Sequence, residues 1–171
     1  FVGGGWTFLF FEADFIFLGE FMKVISDLMR IEGSTRVCMI NWDEYFRSDQ
    51  GGESVECLTL ESTPLDYSEL LKRNRNGVNW LALPLRFVLA SNVGSWTIFC
   101  DRAFEIAAIG IRDQARVDEY RASMQAVFAA EIEELTAQDC ELSGLEISDT
   151  LRSWGAEGMR NYGRHRRAAS N

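Results

Sequence analysis

Asp101, Arg102 and Glu105 fall within five positions of one another in the stretch GSWTIFCDRAFEIAAIGIR, residues 94–112. Asp43 and Glu44 make a second acidic pair earlier in the chain. General acid–base chemistry needs two carboxylates in different environments, and an adjacent arginine adds a planar donor fork suited to an anionic ligand. These five residues therefore define a candidate ligand or catalytic site, provided that two hairpin tips converge. A plainer reading stands beside it. Aspartate favours the first position of a four-residue turn, and Arg102 has Asp101 and Glu105 within reach as ion-pair partners.

A third acidic group lies further on. Residues 113–149 carry ten carboxylates against Arg116 and Arg121. Asp118, Glu119, Glu131 and Glu134 are the candidate contacts for a partner. Glu131 and Glu134 are three apart, with Glu133 adjacent, but no Glu-x-x-His pair accompanies them, so they read as a solvated helix face rather than a metal site. No metal and no cofactor is expected.

Other chemistries lack their residues. The single histidine, His165, lies in an arginine-rich tail that cannot hold it rigidly beside a nucleophile. Gly3-Gly4-Gly5 and Gly51-Gly52 have neither the Lys-Ser/Thr ending of a phosphate loop nor the spacing of a dinucleotide fingerprint.

The net charge of −9 is uneven: from Arg152 onward five arginines face Glu157, leaving −13 over the first 151 residues. An acidic body repels nucleic-acid phosphates and speeds encounter with a basic protein. No uncharged run reaches the roughly 18 residues that a membrane span needs. The expected partner is thus a basic protein, with no nucleic acid and no membrane. Cys38, Cys57, Cys100 and Cys140 show no close spacing and read as reduced thiols of a cytoplasmic protein.

The elements that must position these groups follow from periodicity. Residues 14–32 predict a helix, with Asp14 as N-cap, Gly33 as C-cap, and a stripe of Phe15, Leu18, Met22, Ile25 and Met29. Residues 37–42 and 54–61 predict a hairpin turning at Ser48-Asp49-Gln50-Gly51-Gly52. Centring it on Gln50 sets Cys57 opposite Asp43 and Cys38 opposite Ser62, so neither thiol faces the other. Thr63-Pro64 opens a short helix to about residue 73, with Tyr67, Leu70 and Leu71 inward. Residues 78–90 alternate, Phe87 and Leu89 pointing one way and Trp80 and Val88 the other. Pro84 makes this strand an edge, a bulged strand, or one that starts after the proline.

Residues 95–100 and the segment from Glu105 onward predict a second hairpin around an Asp101–Phe104 corner, with Cys100 opposite Glu105 and Ile98 opposite Ala107. Residues 113–137 predict a long final helix buried through Val117, Tyr120, Met124, Val127 or Phe128, Ile132 and Leu135. Residues 6–11 are aromatic enough for a further strand, although their pattern is continuous rather than alternating. The expected class is α+β: a mainly antiparallel sheet of about five strands with helices packed on one face. Residues 1–150 form one domain, and residues 151–171 a basic, flexible tail.

With residues 94–112 placed on a hairpin, Trp96-x-Ile98-x-x-Asp101-Arg102-x-x-Glu105-Ile106-Ala107-x-Ile109-Gly110, followed by an acidic helix, resembles small bacterial α+β toxin-immunity proteins. The likeness spans about twenty residues. It implies inhibition by binding through an acidic surface, without catalytic residues, and carries over no individual binding residue. The expectation is a non-enzymatic acidic module, an inhibitor or immunity-type protein that occludes a basic partner. The alternatives are a small carboxylate/arginine enzyme or ligand-binding domain, and a homo-oligomer joined through the aromatic N-terminus or the 78–90 strand.

Overall fold

A computed structural model describes residues 5–42, 55–73, 80 and 86–131. Six strands lie in one antiparallel sheet: β1 (Thr7–Glu12), β2 (Arg36–Asn41), β3 (Val55–Thr59), β4 (Arg86–Ser91), β5 (Trp96–Asp101) and β6 (Ile106–Ile111). Their order across the sheet is β1-β6-β5-β4-β2-β3. Among the described residues three helices, α1 (Phe21–Glu32), α2 (Pro64–Lys72) and α3 (Val117–Met124), cover one face. The α+β expectation holds, with β1 as a sixth strand.

The burial follows the two-residue strand period. On β5, Trp96, Ile98 and Cys100 are fully buried while Thr97 and Phe99 are only partly so. Leu9, Ile109, Ile98, Leu89 and Met39 run in register across five strands and share one core with Phe21, Ile25, Tyr67, Tyr120 and Met124 of the helices. The opposite face is also apolar in its central row, where Phe10, Ala108, Phe99, Val88, Ile40 and Val55 stand in line. This double-sided character explains why β1 reads as a continuous apolar run rather than an alternating one.

Local chemistry sets where the helices begin and end. The first helix starts at Phe21, not Asp14; Ala13–Phe17 form a 3₁₀ turn and Leu18 is extended. The interruption has a packing cause at Gly19, where a Cβ would lie 2.3 Å from Ser68 Oγ and 3.0 Å from the Pro64 carbonyl oxygen. The chain passes so close to α2 there that an added side chain would force Ser68 to shift. Leu18, expected in the buried stripe, is consequently 52% exposed. Gly33 closes α1 in the left-handed region at φ 76°, as expected. Thr63 caps α2 through a reciprocal box with Asp66, and the buried Tyr67 hydroxyl donates to the Ile16 carbonyl at 2.7 Å.

Several sequence expectations are corrected. β4, described from Arg86 to Ser91, lies between β5 and β2, so this part of the expected 78–90 strand is interior and offers no edge to a second copy. Trp80 joins the same core as Phe87, meeting its ring at 6.1 Å, although alternation put the two on opposite faces. Cys38 is paired with Cys57, not Ser62. In the β5–β6 hairpin, Cys100 opposes Ala107 and Ile98 opposes Ile109, a shift of two residues from the expected register. The final helix is short. α3 is followed by a 3₁₀ turn, Gln125–Val127, and ends at Phe128, whose φ is 53°. Ala130 then exchanges both backbone hydrogen bonds with Phe10, so the outer side of β1 takes up the chain that periodicity assigned to further helix. Ile132, Leu135, the 43–54 hairpin turn and the expected tail lie outside the described residues.

Candidate interaction surface

The β5–β6 corner uses its polar residues to build itself. Asp101 Oδ1 accepts from the Ala103 amide at 3.0 Å, capping a 3₁₀ turn at Arg102–Phe104. Glu105 closes that turn at φ 56°, and its carbonyl accepts from the Ala13 amide at 3.0 Å. The Arg102 guanidinium stacks over Phe17, 4.5 Å from the ring centroid. Arg86 opposes Asp101 in the register of β4 and β5. Burial pushes the Cys100 thiol up to about 12, with Arg102 opposing the shift and the Asp101 and Asp14 carboxylates adding to it. It is therefore held as a protonated thiol near neutral pH, unlike an activated nucleophile.

The described strand ends that lead into the two hairpin turns named from sequence share one end of the sheet. β2 ends at Asn41 opposite Phe87, and β4 begins beside the end of β5. Trp42 reaches across β4 to meet Phe99 edge-on at 6.3 Å. Asp43 and Glu44 themselves lie outside the described residues. A depression of about 270 Å³ between α1 and the turn before α2 is lined by Met22, Lys23, Ser26, Asp27, Arg30, Ser62 and Pro64. None of these belongs to either acidic group, and Asp27 is already paired with Arg30 at 2.7 Å.

The third acidic group divides in two. Asp118 and Glu119 occupy the first turn of α3, both exposed, where the helix dipole favours negative charge. Among the described residues, no basic side chain forms an ion pair with either. Glu131 behaves differently. It lies beyond the helix, is largely buried, and accepts from Arg121 at 2.7 Å. Its expected place on a helix face shared with Glu134 is thus corrected; Glu134 lies outside the described residues.

The neighbouring arginine is also engaged: Arg116 donates to the Ile31 carbonyl near the end of α1 and lies 4.0 Å from Asp113. Tyr120, buried between α3 and the core, has its hydroxyl pushed up to about 12 by burial, with Glu32 the next contributor.

Sequence reading did not single out Phe128. It entered only as an alternative to Val127 in the buried stripe, whereas Val127 is 4% exposed and Phe128 76% exposed. Its ring touches Phe15 at 5.9 Å. A bulky side chain at positive φ is uncommon, and no local sequence signal marks it. Among the described residues, no group of His, Cys, Asp and Glu is gathered closely enough to hold a metal ion, and no helix is long and apolar enough to cross a membrane. No protein-family model matches the chain, and neither a curated protein nor a solved structure matches it.

Proposed function

We propose that this chain is a non-enzymatic protein-binding module that occludes a basic partner, with Asp118 and Glu119 supplying the charge and Phe128 an aromatic anchor. The supporting observation is the contrast within one short segment. Glu131 is drawn into an internal ion pair, while Asp118 and Glu119 face solvent with no cation against them among the described residues. Exposed carboxylates raise the rate of encounter with a positively charged surface, and an exposed aromatic gives area that becomes desolvated on docking. The finer form of this reading is an immunity-type inhibitor acting on a basic enzyme.

At the β5–β6 corner, Asp101, Arg102 and Glu105 are engaged in turn capping, ring stacking and backbone closure. This favours the binding reading over a carboxylate/arginine active site. The test is kinetic. A partner captured from the source cells and identified by mass spectrometry should be basic and of equal stoichiometry. Asp118→Asn with Glu119→Gln should slow its association about tenfold at low salt and flatten the salt dependence. An unchanged association rate rejects the mechanism.

A further inference from the structure

Cys38 on β2 and Cys57 on β3 are directly opposed in the antiparallel register. Directly opposed residues in such a pair have Cα atoms about 4.5 or 5.5 Å apart, depending on the hydrogen-bond pattern. Both spacings fall in the range of about 4.4–6.8 Å that a disulfide spans. Cys57 lies close enough to help hold the proton on Cys38. β3 is an edge strand and Cys57 is exposed, whereas Cys38 is partly covered and Cys100 fully buried. An oxidant in solution therefore reaches Cys57 before Cys38 or Cys100.

We propose that Cys38 and Cys57 are a reversible dithiol–disulfide modification site whose oxidant is a hydroperoxide. The Cys57 thiolate attacks one peroxide oxygen, the O–O bond breaks, and the departing hydroxide takes a proton to become water, leaving a sulfenic acid. The Cys38 sulfur then attacks the Cys57 sulfur, the S–O bond breaks, and the hydroxyl leaves with the Cys38 proton as a second water. Two thiols lose two electrons and two protons, and hydrogen peroxide gains them as two waters. Burial, reinforced by Cys57, pushes the Cys38 thiol up to about 11, which disfavours it as the thiolate that meets peroxide first and leaves that step to Cys57. A dithiol reductant reverses the bond by exchange. The oxidised form ties the outermost strand covalently to its neighbour.

The full-length reduced chain, treated with hydrogen peroxide, alkylated and digested with trypsin without reductant, reads this directly. Cleavage after Arg36, Arg47 and Lys72 puts Cys38 in peptide 37–47 and Cys57 in peptide 48–72. The expected product is these two peptides joined, two hydrogens lighter than their sum and separated by dithiothreitol, with Cys100 oxidised at least tenfold more slowly. Cys57 linked to Cys140, to a second chain, or overoxidised while Cys38 alkylates freely would overturn the proposal. Cys57→Ser, at an exposed position, supplies the second reading: Cys38 should then survive peroxide about tenfold longer. Unchanged Cys38 oxidation in that variant equally rejects the assignment.

Discussion

The two hairpins, β5–β6 and β2–β3, carry the same kind of turn signal in sequence and differ in how well it sets their register. In β5–β6 the expected partners are two residues away from the observed ones, so Ile98 moves from opposite Ala107 to opposite Ile109. A shift of two keeps every side chain on its expected face. In β2–β3 the shift is five, and Cys38 meets Cys57 instead of Ser62. An odd shift exchanges the faces. The cause is the length of the connection. Only residues 102–105 join β5 to β6, and a capped turn with a left-handed residue fixes its geometry. Residues 42–54 join β2 to β3, and a glycine pair within so long a link does not mark its centre. Short turns transmit register; long ones leave it to the core, here Val37 opposite Leu58.

That contrast can be broken or sharpened by experiment. Ile98→Ala, fully buried between Leu89 and Ile109, should cost about 2–5 kcal/mol in urea unfolding. An alkaline titration should come next in size. Folded Cys100 keeps its proton to about 12 against an ordinary value of 9.0, so the unfolded chain releases a proton that the folded chain retains. Stability is therefore full below pH 9 and falls as the pH rises toward 12, by an amount on the order of a few kcal/mol. Cys100→Ala should flatten this limb. Cys38→Ala should flatten it less, because Cys38 is raised only to about 11 and is less covered.

Glu105→Gly should stabilise the β5–β6 turn by up to about 1 kcal/mol, since a glycine adopts φ 56° without steric cost. Denaturation midpoints at constant slope provide the measure. On the edge hairpin, Val55→Ala, only partly buried, should cost less than about 1 kcal/mol. A cost equal to that of Ile98→Ala would mean that β3 is as central to the core as β5.

What the residues disclosed was local. The Thr63-Pro64 cap, the Gly33 stop and the inward set Tyr67, Leu70 and Leu71 are properties of neighbours in sequence, and all appear as expected. The start of α1 was hidden because its cause, Ser68 and Pro64 against Gly19, lies some 45 residues away. The early end of α3 was hidden likewise, since helical spacing through Leu135 was satisfied on paper while the backbone of Ala130 was being taken by Phe10. At the candidate surface, residue types were legible but their commitments were not. Nothing near Glu131 in sequence says that Arg121 holds it and that Asp118 and Glu119 meet no cation among the described residues.

The reciprocal bonding of Phe10 and Ala130 gives the fold a latch between its first strand and the segment that follows its last helix. Slow hydrogen exchange at the Phe10 amide becomes a direct gauge of whether the latch is shut. Whatever tugs on the chain beyond α3, whether a binding partner or a protease, would unmask backbone on the outer side of β1 and turn a sealed margin into a sticky one.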